Sequence, residues 1–235
     1  MFLREYFSEV NGRLCFTREQ GSDFAKRIAG DFNPLHDADA KRFCIPGDLL
    51  FASLLAHYGV SEHMQFLFSG MVPEGVELLL PAADSKLVIR DAEGREYLQL
   101  HREGKHSTDP AMVETLVRRY AAFSGHTFPH VLEPLFAGDK VMINPERPMV
   151  MYQSMSIDLD TLDFHEPEVA PAHSELFIDG KRGTGDIRFH ILEAGRVVGH
   201  GCKHLLLRGL REYDREAMNA SIEAYDQRKR AYLEG

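Results

Sequence analysis

No apolar run in this sequence approaches the roughly 18 residues that a bilayer-crossing helix needs, so no membrane span is expected. Disulfide chemistry is lacking as well. The three cysteines, Cys15, Cys44 and Cys202, are odd in number, far apart and without a CxxC pair, which reads as reduced cytosolic thiols and not as a zinc site. A basic excess is missing too. The 27 Lys and Arg stand against 36 Asp and Glu, a net charge of −9, which argues against a nucleic-acid partner. A few local basic side chains still suffice to hold a phosphate-bearing small ligand. The opening stretch MFLREYFSEVNGR carries charge where a signal peptide has an apolar core, so a cytoplasmic protein is expected. The glycine-rich GKRGTGD (180–186) does not match a phosphate-cradling P-loop, and no GxSxG nucleophile elbow occurs. His36-Asp37 lacks the further His and Asp that a metal phosphohydrolase needs, and the other histidines are scattered. No metal and no cofactor is therefore read from the sequence.

What is present is an ordinary globular composition. The 235 residues are 44% hydrophobic and 27% charged, enough for one large domain or two small ones with a sizeable core. Asn11-Gly12 predicts a hairpin within residues 5–16. Thr17 predicts a cap for a helix over 18–29. Asp48 reads as the N-cap of a helix over 49–58 that stops at Gly59. That segment, LLFASLLAHY, is apolar on nearly all sides and belongs in the middle of a core. Strand-like runs follow at 65–69, 75–80, 85–91 and 95–102, the last two around the turn AEGR. Asp109-Pro110 starts a helix over 111–123. Further strands are read near 149–159, 173–179, 185–192 and 196–207, the last two around EAGR. A closing helix over 210–233 carries Leu210, Tyr213, Met218, Ile222, Tyr225 and Leu233 roughly along one stripe, a packing or dimer face.

The halves resemble each other. FAKRIAGDFNPLH (24–36) aligns with YAAFSGHTFPH (120–130), Gly30 matching Gly125, and Gly94 and Gly195 lie at similar distances downstream. A helix wrapped by an antiparallel sheet fits each half. The fold expected is α+β, a double hot-dog of two tandem units, residues 1–106 and 107–235, with a monomer or homodimer following from it.

The stretch AGDFNPLHDADA (29–40) carries the chemistry. A loop that only turned would not need a carboxylate and an imidazole five positions apart. Adding water to a double bond conjugated to a thioester requires a base for the water proton, an acid for the α-carbon and donors for the developing enolate oxygen. Asp31 and His36 in one rigid loop can hold a water between them, and Pro34 restrains its own φ while keeping Asn33 extended. Partial burial would move a carboxyl pKa toward neutrality. Each residue taken singly is also ordinary turn chemistry.

Gly30, Asp31, Asn33, Pro34, Leu35, His36 and Asp39 together resemble the signature of the MaoC-like, or type 2 enoyl-CoA hydratase, family. The length and layout also look like a family of uncharacterised bacterial proteins. The MaoC-like resemblance implies hydration of a trans-2-enoyl-CoA, with Asp31 and His36 as the catalytic acid/base pair and Asn33 positioning the substrate. That family opens its central helix with His-Gly, whose backbone N–H helps bind the thioester oxygen. Here the corresponding text is Pro46-Gly47-Asp48, so Gly47 is kept as a substrate-binding candidate while the histidine is absent. The second copy, GHTFPH, has His126 where the Asp would stand, which implies an inactive second half. Two other readings stay open: an acyl-CoA or small-ligand binding protein without turnover, and an acyl-CoA thioesterase using Asp31.

Overall fold

The structure is a computed structural model and describes residues 2–145 and 149–234. After one 3-10 turn (Phe2–Glu5), β1 (Ser8–Val10) and β2 (Arg13–Cys15) form the expected hairpin. Asn11 (φ 53°) and Gly12 (φ 70°) supply the two positive φ values that a two-residue turn of matching twist requires. Thr17 caps α1 (Arg18–Asp23) in a reciprocal box: its side chain accepts from Gln20 N–H, and its own N–H donates to the Gln20 side chain. The helix then widens into π-helical register over Phe24–Ala29 and stops at Gly30.

The central helix α2 spans Gly47–Tyr58. Leu49 through Leu55 are buried without a break, as is Tyr58, in agreement with its all-round apolar sequence. Asp48 is not its N-cap, contrary to the sequence reading. The cap is Pro46, whose carbonyl already accepts from Leu49 N–H (3.0 Å) and Leu50 N–H (3.2 Å). Proline fits there because it has no N–H to leave unpaired. Asp48 consequently falls inside the first turn, and its Oδ1 is buried without a hydrogen-bond partner.

The sheet follows as β3 (Val60–Phe68), β4 (Leu78–Leu79), β5 (Lys86–Arg90) and β6 (Glu96–Ser107). The second half begins with α3 (Pro110–Gly125), capped by Asp109, then α4 (Thr127–His130), α5 (Leu132–Gly138) and β7 (Val141–Met142). Next come β8 (Met149–Leu159), β9 (Glu168–Pro171), β10 (Glu175–Asp179), β11 (Arg182–Glu193), β12 (Arg196–Arg208) and β13 (Arg211–Glu212). The last helix is α6 (Arg215–Glu234). The expected helix over 210–233 thus starts later, because Leu210 packs into a core ahead of it and β13 pairs with β7.

Among the described residues the large sheet runs β1-β2-β4-β5-β6-β3-β8-β12-β11-β10, with β9 on the side of β11, and its pairings are antiparallel. The fold is mixed α and β with one large antiparallel sheet and a C-terminal helix. β3 and β8 pair at its centre. Reading outward, β3-β6-β5 on one side mirrors β8-β12-β11 on the other, each including a long hairpin closed at AEGR or EAGR. The glycines matched in the sequence also meet: a Cβ on Gly125 would lie 2.0 Å from Ala29 O, next to Gly30. The ends of the π-helical segment and of α3 are therefore in close contact at the seam.

The main core covers α2, α3 and the inner sheet face, and a second gathers Leu132, Phe136, Met142, Leu205 and Met218 under α6. Burying each Leu or Phe of α2 stabilises the chain by about 1.5–3 kcal/mol. The stripe expected along the last helix holds in part only. Met218 is the only buried residue of α6 among those described, and Leu233 is 72% exposed.

Candidate active site

Gly30 ends the π-helical turn in the left-handed region (φ 67°, ψ 25°), where glycine is unstrained, and reverses the chain toward Asp31. π-Helical turns recur at functional sites because they re-aim a helix end. Asn33, ahead of Pro34, is extended (φ −62°, ψ 126°), and Pro34 opens a one-turn 3-10 helix, Pro34–His36. Asn33 works at both ends of the loop. Its N–H donates to Asp31 Oδ1 (2.9 Å), and its Oδ1 accepts from Leu35 N–H (3.1 Å). His36 Nδ1 lies 3.0 Å from the Cys44 carbonyl, which only accepts, so Nδ1 carries the proton. The other ring nitrogen, Nε2, faces Asp31 Oδ2 at 3.8 Å. The structure thus brings Asp31 and His36 together and uses Asn33 to orient Asp31. The side chains are 29% and 13% exposed, so the pair is sheltered yet reachable from solvent.

Burial pushes the Asp31 carboxyl above the usual carboxylate range, against the opposing pull of His36, the Asn33 N–H and Lys203. Burial alone would lower His36, but the bond to the Cys44 carbonyl and the Asp31 charge outweigh it and bring its pKa to about 9. Both groups bind protons more tightly in the folded chain, so both make stability fall as pH rises. For His36 the contribution is complete below about pH 6.5, its unfolded value, and is lost as pH rises through about 9. Denaturant unfolding of wild type and His36→Gln should therefore show a gap on the order of a few kcal/mol at pH 6. The gap should close toward pH 9.5, and one that widens with pH would contradict the assignment.

Gly47 is the first residue of α2, and a Cβ there would lie 2.9 Å from the Tyr152 ring, so only glycine lets β8 approach this helix end. Around this contact lies a group that sequence reasoning missed. Lys203 of β12 is 8% exposed, donates from Nζ to Ser124 Oγ and lies 4.2 Å from the Tyr152 ring centroid. The Tyr120 and Tyr152 hydroxyls are hydrogen-bonded to each other. Burial, with Asp48 nearby, raises both well above the ordinary tyrosine value. The signal was in the strand: Gly201, Lys203, Leu205 and Leu207 alternate onto one buried face.

The helix α6 crosses the loop. Tyr225 Oη donates toward Gly30 O (3.1 Å) and Gly125 O (3.4 Å), the matched glycine carbonyls of the two halves, and accepts from Phe32 N–H (3.2 Å). Arg228 pairs with Asp37 (3.1 Å), and Phe32 packs edge-on against Tyr225 and Tyr232. His126, the residue in the second copy where an Asp was sought, sits with Nε2 about 3.0 Å from where a Gly30 Cβ would be. It lines a cleft of about 480 Å³ with Arg119, Phe123, His130 and Val169; Asp31 and His36 do not line it. Among the described residues no group of three or more His, Cys, Asp or Glu could hold a metal ion, and no helix is long and apolar enough to cross a membrane.

A family model described as "Protein of unknown function (DUF3581)" matches residues 1–216. The chain belongs to this family. The DUF3581 match includes the 29–40 loop, Lys203 and both halves of the sheet, and stops just inside α6. No curated protein matches the chain. Among solved structures it is similar to the acyl-CoA thioesterase II TesB2 from Mycobacterium marinum: 9% identity, 91% of this chain and 100% of that one, TM-score 0.46. It is also similar to a MaoC-like dehydratase, with 11% identity over 88% of this chain and 99% of that one and a TM-score of 0.42. A third is an N-terminal dehydratase from the difficidin assembly line, with 12% identity, 79% of this chain, 91% of that one and a TM-score of 0.38.

Proposed function

We propose that this DUF3581 protein is a cytoplasmic hydratase that adds water to a trans-2-enoyl-CoA or a similar acyl thioester, with Asp31 and His36 as base and acid. The observation that carries this is their geometry: Oδ2 and Nε2 at 3.8 Å, each aimed by a fixed backbone partner, Asn33 N–H for Asp31 and the Cys44 carbonyl for His36. The GDFNPLH text in which they sit resembles the MaoC-like signature. On this reading the halves 1–106 and 107–235 are tandem hot-dog units joined through β3 and β8, and the protein acts as a monomer or a homodimer.

The chemistry balances within the pair. The Asp31 carboxylate takes a proton from water as the water oxygen bonds to the β-carbon, and the π electrons move onto the thioester oxygen. The His36 imidazolium gives its Nε2 proton to the α-carbon as the enolate collapses. The proton on Asp31 then returns to His36 across their contact, leaving both as they began. A His36 pKa of about 9 keeps the acid charged at neutral pH. Because both groups act from one side, water should add syn.

The test is to mix purified protein with trans-2-enoyl-CoA of short, medium and long chain and follow loss of the conjugated-enoyl absorbance. Steady loss of absorbance with formation of the 3-hydroxyacyl thioester is the expected result. Calorimetric binding without turnover would replace the hydratase by a thioester-binding protein. Release of free CoA would replace it by a thioesterase.

A further inference from the structure

The acid/base pair leaves one requirement unmet. Charge that develops on a thioester oxygen needs donors, and besides the Gly47 N–H that the resemblance suggests, the preceding residue is Pro46, which has no N–H to give. The start of α2 carries the carboxylate of Asp48 instead, with Oδ1 buried and unpartnered, and Asp48 raises Asp31, Tyr120 and Tyr152 alike. An acidic side chain therefore stands in the first turn of the helix whose N-terminus the resemblance assigns to the thioester oxygen, and a basic side chain nearby would offset it.

Lys203 is that positive group. An ammonium is rarely as buried as this without an ionic partner, because desolvation costs several kcal/mol. Yet no carboxylate oxygen of the described residues is within salt-bridge distance of its Nζ, which holds only the Ser124 hydroxyl and the Tyr152 ring face. Three N–H donors are available, and Ser124 takes one. Its position is tied to the motif loop on one side and to the start of α2 on the other. Ser124 precedes Gly125, which is in backbone contact with Ala29, two residues before Asp31. Tyr152, under the ammonium, packs against Gly47 at the N-terminus of the 12-residue α2. Lys203 also acts electrostatically on Asp31. Lys203 is thus linked through Tyr152 to the N-terminus of α2 and through Ser124 to the segment that leads into Asp31.

We propose that Lys203 is a further catalytic residue, the donor that carries the anionic oxygen of an enolate or similar oxyanion next to Asp31 and His36, with Ser124 and Tyr152 as its positioning residues. It rests on the acyl-thioester reading above. Ser124 and the Tyr152 ring hold the ammonium in place before ligand arrives, so no reorganisation is spent when charge develops. The Tyr120–Tyr152 bond locks the ring beneath it.

The experiment uses acetoacetyl-CoA in metal-free buffer. Its C2–H proton leaves to solvent when a positive group holds the oxygen, and the resulting enolate absorbs in the near ultraviolet. The full-length protein is expected to raise this enolate band on binding. Lys203→Met should bind the thioester by calorimetry and lose the band, while Lys203→Arg should restore part of it. With enoyl-CoA, Lys203→Met should lower kcat by about 10²–10³-fold with KM little changed, the size seen when one oxyanion donor is removed. The proposal is overturned if wild type binds without the band, if Lys203→Met keeps it, or if wild type does not bind at all. The band needs no turnover. A band with no enoyl-CoA hydration would sink the hydratase and leave Lys203 standing. Hydration without a band would do the reverse. Should Lys203→Met fail to fold, the wild-type and Lys203→Arg measurements still decide.

Discussion

Asp31→Asn and His36→Ala are each expected to lower kcat for enoyl-CoA hydration by at least about 10³-fold, within the range that positioned acid–base groups contribute. Asn cannot accept the water proton, and Ala cannot deliver one to the α-carbon. KM should move little, because neither side chain is assigned to hold the thioester arm. The two variants differ in their cost to the fold, which makes the comparison informative. Asn keeps the shape of Asp31 but removes the charge that helps hold His36 protonated, so Asp31→Asn should lower the His36 pKa and with it the stability that His36 contributes below about pH 9. His36→Ala leaves the Cys44 carbonyl without its donor, and the chain should lose on the order of 1–3 kcal/mol. Initial rates, with urea unfolding in parallel, separate lost chemistry from lost structure. Activity within tenfold of wild type in either variant would remove that residue from the mechanism.

Phe51→Ala should have the largest effect on stability, about 3–5 kcal/mol. Phe51 is fully buried in α2 and meets Phe66 of β3 (5.1 Å) and Tyr120 of α3 (4.9 Å), both edge-on. Edge-on aromatic pairs contribute about 0.5–1.5 kcal/mol beyond the area they bury. The ring therefore joins the first-half sheet to the second-half helix, and its removal opens a cavity between the halves. The loss is about a fifth or more of the about 5–15 kcal/mol typical of a folded protein. Denaturant unfolding should show a lower midpoint with an unchanged slope, and Phe51→Leu should cost less than half as much. A loss below about 1 kcal/mol for Phe51→Ala would mean that the two halves do not share this core.

Local chemistry made much of this fold legible in the sequence. Asn11-Gly12, Thr17 and Asp109 act within a few residues of themselves, and each does what its type predicts. The all-round apolar text of 49–58 placed α2 in the core before any packing was known. Asp48 was misread because an Asp before an apolar run looks like a cap, while Pro46 can serve as one with its carbonyl alone. Asp31 and His36 could be read together because one short loop holds both. Lys203, Ser124 and Tyr152 could not, since they come from β12, α3 and β8 and meet only when the halves close on each other. Tyr225 was assigned to an apolar stripe, and its hydroxyl is instead the group that ties α6 to both glycine carbonyls.

That tie has a consequence in time. Phe32 and its Tyr225 partner are separated by 193 positions. At about 5–20 residues per second during synthesis, the loop bearing Asp31 waits roughly 10–40 s for the side chain that clamps it. Every buried residue of both cores precedes Tyr225, so a nascent chain can be largely compact while the loop bearing Asp31 and His36 still lacks this clamp. The loop is fixed by a side chain made long after its own residues.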